Sequence, residues 1–177
     1  MKRKIWFCMV TAVAMCFAFA GCGGGETAGQ SGEEELMEIQ ITAGEENIVE
    51  AGEYAPIELD ASMSGTPESP TIIRAAEGAT PVIKVKTGEI QSGEDDMDEA
   101  FGIHMTNVEN VVVEGFAIEG GTRGIYYEST RDRGEESLGN ITIKNCSVSG
   151  VVGAHGICVY ARNDLAPVTG LTIDGCE

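Results

Sequence analysis

The sequence predicts an all-β fold in which short parallel strands stack on one another at a regular interval. Three observations carry this prediction: one apolar pattern recurs about every thirty residues, a second pattern recurs between its copies, and glycine is frequent, at 24 of 177 residues. The apolar positions never settle into the 3.6-residue period of a helix, so a helical bundle is a poor alternative. A sandwich of two sheets stays open, although it does not explain the recurrence.

The first pattern consists of two short strands separated by a corner. Its copies are ENVVVEGFAIEG (109–120), GNITIKNCSVSG (139–150) and TGLTIDGCE (169–177). Apolar residues stand at offsets 0, 2, 5 and 7, so the period of two changes phase at the corner. The corner residues are Gly115, Asn145 and Gly175. Glycine and asparagine enter the left-handed backbone region most readily, and a tight bend between strands can require that region.

The second pattern reads Gly-Ile-x-apolar and supplies a third strand to each unit. Its copies are GIHM (102–105), GIYY (124–127) and GICV (156–159). Units of this size cannot close a core alone, so they must stack on their neighbours. A right-handed parallel β-helix does this and places equivalent side chains about 4.8 Å apart in columns. The expected inward columns are Val111, Ile141 and Leu171, then Val113, Ile143 and Ile173, then Phe116, Cys146 and Cys176.

These repeats resemble those of the right-handed parallel β-helix repeat proteins, the superfold of the pectate lyases. The likeness rests on NITIKNC followed by GICV and on the opening segment SGTPESPTIIRAAEGATPVI (64–83), and it covers about 45–177. It implies the fold rather than one activity, because lyases, hydrolases and binding proteins share this fold. The last copy stops one strand into a turn without a cap, so we expect an incomplete, N-terminal fragment whose catalytic residues lie beyond residue 177.

The beginning of the chain predicts an export signal. Three basic residues precede an apolar run of 16 residues, which is short for a membrane-spanning helix. The run ends in Phe-Ala-Gly-Cys, which resembles a bacterial lipobox and implies lipidation of Cys22; an ordinary secretory signal is the alternative. We therefore expect a signal peptide (1–21), a flexible acidic tether (22–36) and the β-helix (37–177), on the extracellular face of a bacterial cell membrane.

The charge of the chain limits its partners. Loss of the signal removes three of the 11 Lys and Arg residues and none of the 29 Asp and Glu residues, so the mature chain carries eight bases against 29 acids. Such a surface repels nucleic acid and anionic lipid headgroups. We expect no nucleic-acid partner, membrane contact through the lipid anchor alone, and a monomer. An anionic polysaccharide would need a cation or a local basic patch.

Three cysteines remain after the signal and the lipidated residue are set aside. They are Cys146, Cys158 and Cys176, an odd number that gives no self-sufficient disulfide framework. Two of them share one inward column, where parallel side chains keep their Cβ atoms too far apart for a bridge. We expect all three to be free thiols, with Cys158 on the outer face.

A saccharide groove is predicted on the outer face of the third strand of each unit. Aromatic rings stack on sugar rings, and arginine pairs bidentately with carboxylates. The predicted glycan-binding residues are Arg123, Tyr126, Arg131, Arg133, His155, Tyr160 and Arg162. The alternative is an ordinary hydrated face with turn residues.

Calcium is the candidate cofactor, because the loop GEIQSGEDDMDEAFG (88–102) is rich in carboxylates. Its candidate ligands are Asp95, Asp96 and Asp98. The loop lacks the spacing of an EF-hand, so a solvated acidic loop is the alternative. A bound cation would let an acidic protein hold a polyuronate.

The sequence predicts a surface protein that acts on extracellular polysaccharide, as a pectate-lyase-like lyase or a glycoside hydrolase. A lyase needs a base and a cation, and a hydrolase needs two carboxylates at a set separation. A non-catalytic module for glycan binding or adhesion is the alternative.

Overall fold

The computed structural model describes residues 36–86, 100–132, 136–153, 155–162 and 164–177, and in those residues the chain forms β-strands and no α-helix. The strands are β1 (Glu46–Val49), β2 (Glu53–Tyr54), β3 (Ile57–Leu59), β4 (Thr71–Ala75), β5 (Val82–Val85), β6 (Phe101–Thr106), β7 (Val111–Glu114), β8 (Ala117–Gly120), β9 (Arg123–Glu128), β10 (Leu138–Gly139), β11 (Ile141–Lys144), β12 (Ser147–Ser149), β13 (His155–Tyr160), β14 (Val168–Thr169) and β15 (Thr172–Asp174). One 3-10 turn covers Ala61–Met63.

Three larger sheets take one strand in turn from each successive repeat. The first sheet has the order β1-β4-β7-β11-β15, the second β2-β5-β8-β12 and the third β3-β6-β9-β13, while β10 pairs with β14. All the strand pairs of these sheets, within the described residues, are parallel. The prediction of an all-β chain with parallel pairing is confirmed, and the strand order is compatible with a parallel β-helix.

The predicted columns have the predicted register. Ile143 lies opposite Val113 on one side and Ile173 on the other, and Val148 lies opposite Ile118. In the third sheet, Ile125 lies between Ile103 and Ile157. For the strands of the two repeated patterns, the offsets therefore predicted both the strands and their pairing.

Inward-facing residues of all three sheets meet in one hydrophobic core. Ile73 of the first sheet, Ile83 of the second and Ile103 of the third are each fully buried within the same cluster. Burial of one such side chain stabilises the fold by about 1.5–3 kcal/mol. Leu171 and Ile173 differ from the expectation, because they remain 38% and 48% exposed. They lie at the β15 edge of the first sheet, where no described strand covers them.

Left-handed residues form the corners, as predicted. Gly115, Asn145 and Gly175 have φ angles of 84°, 52° and 63°. The structure adds a second left-handed column before the first sheet, which the sequence did not predict: Asn110, Asn140 and Gly170, with φ angles of 55°, 58° and 64°. The Nδ2 atom of Asn140 donates to Oδ1 of Asn110 at 2.9 Å, so successive repeats are also linked by their corner side chains.

Paired charges cover the outer faces of the first two sheets. In the first sheet, Lys144 Nζ lies 3.3 Å from Glu114 Oε1. In the second, Lys84 contacts Glu119 and lies 3.4 Å from Glu53, and its hydrogen bond to Glu119 is the main cause of its raised pKa. Exposed pairs of this kind contribute little to stability and favour the correct register. The third sheet carries a different set of outward side chains.

Candidate functional site

The outer face of the third sheet brings aromatic, basic and acidic side chains together, and we call it the third-sheet face. Its lines of residues in register are Phe101, Arg123 and His155, then Glu58, His104, Tyr126 and Cys158, then Thr106, Glu128 and Tyr160. Three of the predicted glycan-binding residues lie on β9 and β13 in these lines, and a fourth, Tyr160, ends β13.

Glycine at the second position of β6 explains why two aromatic residues can meet there. A Cβ atom on Gly102 would lie 2.4 Å from Ile118 Cγ2, so this position faces the core and has no room for a side chain. Ile103 also faces the core. Because two successive positions face the core, Phe101 and His104 lie on the same side of the strand, with their ring centroids 4.5 Å apart.

An aromatic and arginine stack forms the centre of the third-sheet face. The rings of Phe101 and Tyr126 stack at 4.8 Å with an angle of 10° between their planes. The Arg123 guanidinium carbon lies 4.8 Å from the Tyr126 ring centroid. Each aromatic pair contributes about 0.5–1.5 kcal/mol beyond its burial. Tyr126 is only 7% exposed, so its ring faces pack against protein and it supports the face from below.

His104 lies between two carboxylates. Its Nδ1 atom is 2.8 Å from Glu58 Oε2, and its Nε2 atom is 3.1 Å from Glu128 Oε1. The hydroxyl of Thr106 lies 3.2 Å from the same Nε2 atom. An imidazole with a proton on each nitrogen donates to both acids at once. These contacts fix the orientation of the imidazole ring between the two carboxylates.

Glu58 was not among the residues predicted for the site. It lies in PIEL (56–59), which has Pro where the later repeats have Gly and so departs from the Gly-Ile-x-apolar pattern. The shared signal is the shorter Ile-x-apolar pattern, in which Glu58 takes the position of His104.

The exposed part of the face lies on β13 and the residues that follow it. Tyr160 is 43% exposed, and its ring centroid lies 6.4 Å from that of Tyr126. Beside it, Arg162 Nε donates to Asp164 Oδ1 at 2.9 Å, and a second contact joins the same two groups. The hydrogen bond from Arg162 lowers the pKa of Asp164 to about 2, and that same bond is the main cause of the raised pKa of Arg162. His155 is exposed at the start of the strand.

Arg131 follows β9 and lies in a corner with its own polar contacts. Its Nη1 atom is 3.5 Å from Glu109 Oε2. In the same corner, Asn107 donates to the Thr130 hydroxyl at 2.6 Å and accepts from the Thr130 amide at 2.8 Å. These bonds join the segment after β6 to the segment after β9, and Arg131 lies in the same corner.

Open space borders the face on the side of Glu58. A cavity of about 400 Å³ has Glu58, Phe101 and Lys86 in its wall. A second cavity, of about 320 Å³, is also bordered by Glu58 and by apolar residues of the segment 39–63. Glu58 thus connects the His104 network to space that a ligand could enter.

Several predicted residues lie outside the described part of the chain. They are Cys22, Asp95, Asp96, Asp98 and Arg133. Within the described ranges, no group of three or more His, Cys, Asp or Glu side chains is arranged to hold a metal ion. The calcium and lipidation expectations therefore stay predictions. Among the described residues there is also no helix of the length and apolarity that a membrane crossing requires.

Comparison with known proteins gives no relative from which a function could be carried over. No family model, curated protein or solved structure matches this chain.

Proposed function

We propose that the chain forms a parallel β-helix, anchored at the bacterial cell surface through lipid on Cys22, whose third-sheet face binds extracellular polysaccharide. Three parallel sheets, each taking one strand from successive repeats and all packing on one shared core, support the β-helix. The observation that carries the binding function is the exposed ring of Tyr160 at the end of an aromatic and arginine stack. Two polar residues of the same region are exposed as well: His155, at the start of β13, and Arg162, two residues after Tyr160.

The geometry suits a sugar chain because it combines one apolar surface with many hydrogen-bonding groups. A sugar ring stacks its C–H face on an aromatic ring, while its hydroxyl groups need donors and acceptors at the rim. Tyr160 offers the ring, and Arg162 and Asp164 offer a donor and an acceptor side by side. The stack of Phe101 and Tyr126 behind it is buried, so the platform is rigid and loses little entropy on binding.

The test is binding of the full-length protein to a panel of soluble polysaccharides, followed by calorimetry. Replacing Tyr160 with Ala removes the stacking surface, and we expect binding about 2- to 12-fold weaker, equivalent to about 0.5–1.5 kcal/mol. The matched control is Ile48→Ala, an apolar truncation at a 54% exposed position of the first sheet, which should leave binding unchanged. Unchanged binding in Tyr160→Ala, or no binding by the unaltered protein, contradicts the proposal.

Cleavage of the bound glycan is the second candidate, and the His104 network favours it. Glu58 and Glu128 lie on opposite nitrogens of one imidazole, beside a cavity of about 400 Å³. Hydrolysis of a glycosidic bond uses two carboxyl groups, one of which donates a proton to the leaving oxygen. The lyase reaction needs a bound cation, and its candidate ligands are Asp95, Asp96 and Asp98, which lie outside the described residues.

Product analysis separates the two reactions. If Glu128 carries hydrolysis, Glu128→Gln should stop the release of reducing ends, while Glu109→Gln, a change of the same kind in the corner beside Arg131, should not. If the protein instead releases unsaturated products, and a chelator abolishes that release, the reaction is the lyase reaction. Intact glycan after incubation with the unaltered protein would leave binding as the function.

A further inference from the structure

We infer that the glycan held on the third-sheet face is neutral, without carboxylate or sulfate groups; this rests on the proposed polysaccharide binding and names the class of ligand. The observation is that the arginines described on and beside this face are already engaged. Arg162 is paired with an acid, Arg131 is paired with an acid, and Arg123 lies over aromatic rings.

The pair of Arg162 and Asp164 carries the inference furthest because it borders Tyr160. Nε and one terminal nitrogen of the guanidinium both face the two carboxylate oxygens, so this edge of the fork is occupied. A uronate that bound this edge would have to displace a carboxylate held only two residues away in the chain. An internal partner at such short range has a high effective concentration.

The ion pair alone would not exclude an acidic ligand, because solvent-exposed ion pairs contribute little free energy. The net charge of the whole chain adds a second contribution, which is long-range repulsion. With 29 acidic residues against 11 basic ones in the full sequence, the protein repels an anionic polymer beyond the reach of one arginine. At physiological salt this repulsion extends about 8 Å from each charge, which covers the neighbouring sugar units as well as the contacting one.

A neutral sugar makes use of the same pair without breaking it. The carboxylate of Asp164 can accept from one hydroxyl while Arg162 donates to the neighbouring oxygen. The exposed ring of Tyr160 can pack against the C–H face of the same sugar. Glu128, on the same line as Tyr160, offers a further acceptor and would repel a carboxylate.

The experiment compares one glycan backbone in its neutral form with the same backbone oxidised to the uronate, using the full-length protein at low and at high salt. At low salt we expect the neutral form to bind at least about tenfold more tightly, a difference of about 1.4 kcal/mol. The affinity for the neutral form should depend little on salt, whereas the affinity for the uronate should rise at high salt because screening weakens the repulsion. Asp164→Asn releases Arg162 and should raise uronate affinity several-fold. The charge-matched control is Asp174→Asn on the first sheet, which should change neither affinity.

The outcomes distinguish this inference from the proposed function. Equal or tighter binding of the uronate by the unaltered protein overturns the neutral-ligand inference and leaves polysaccharide binding in place. Equal gains of uronate affinity in Asp164→Asn and Asp174→Asn would show that net charge, and not the pair beside Tyr160, sets the preference, which also overturns it. Binding of neither form, nor of any other glycan in the panel, overturns the proposed function itself.

Discussion

Cys146, Cys158 and Cys176 illustrate how position in the stack sets the chemistry of a side chain. All three are free thiols, as the parallel arrangement of their side chains predicted. Cys146 is 1% exposed, whereas Cys158 on the outer face and Cys176 at the sheet edge are partly exposed. Cys176 was expected to be buried as well, but no described strand lies beyond β15 to cover it.

Alkylation rates test this difference. Burial is the main cause of the raised pKa of the Cys146 thiol, so at mildly alkaline pH a smaller fraction of it is the reactive thiolate. We expect Cys146 to react slowest and Cys158 fastest with iodoacetamide in the native protein, as measured by peptide mass spectrometry. In denaturant the three rates should converge. A native Cys146 that reacts as fast as Cys158 would show that its column is open to solvent.

At the scale of a strand, isoleucines at neighbouring positions of one column differ in burial, and so in their expected contribution to stability. Ile143 in β11 has strands on both sides and is fully buried, whereas Ile173 in β15 is 48% exposed. The two residues are in register and chemically identical. Their difference isolates the contribution of coverage by the next strand.

Truncation of these two residues gives a matched pair. Ile143→Ala should lower the free energy of unfolding by about 2–5 kcal/mol, because a packed core cannot collapse fully around the lost atoms. Ile173→Ala should lower it by about 1 kcal/mol or less, since its side chain already contacts water. Urea unfolding followed by circular dichroism measures both. Similar losses in the two variants would mean that Ile173 is covered in solution.

The strands that could be predicted from the sequence are those with apolar residues at the same positions in successive repeats. The pairs of Val113 with Ile143 and of Ile103 with Ile125 follow from columns of apolar residues, because stacking demands similar volumes at equivalent positions. Strands of two residues, such as β10 (Leu138–Gly139), carry too few side chains for any period to show.

The candidate site could be predicted only in part. Tyr160 and Arg123 were found because their residue types suit a glycan, and their alignment followed from the repeat. The network of Glu58, His104 and Glu128 was not found, since its members differ in type and pair across three turns. The pairing of Arg162 with Asp164 depends on loop conformation, which no strand period encodes.

For the whole molecule, the excess of acidic residues and the expected lipid anchor belong together. A chain of formal charge −18 is repelled by anionic lipid headgroups, so surface charge alone would keep it away from a membrane. Lipid on Cys22, as proposed, would remove that constraint, although a single acyl chain gives only reversible attachment and stable anchoring needs two.

The anchor is tested by replacing Cys22 with Ser in the full-length chain. We expect the unaltered protein to fractionate with membranes and its mature N-terminal peptide to carry lipid, and the variant to lose both properties. Cys158→Ser serves as the control, because it removes a thiol without touching the predicted lipobox. An unmodified Cys22 thiol in membrane-associated mature protein would contradict the assignment.

The parallel pairing of successive turns also has a consequence for the order in which the chain folds. Paired residues lie 22 positions apart for Ile103 and Ile125 and 46 apart for Ile57 and Ile103. Doubling a loop adds only about 0.6 kcal/mol to the entropy of closing it, so each turn joins its neighbour at a similar entropic cost. Assembly can therefore start at one pair of turns and extend from there. A partly folded chain would then contain a few native repeats paired with one another, with the remaining residues still unfolded.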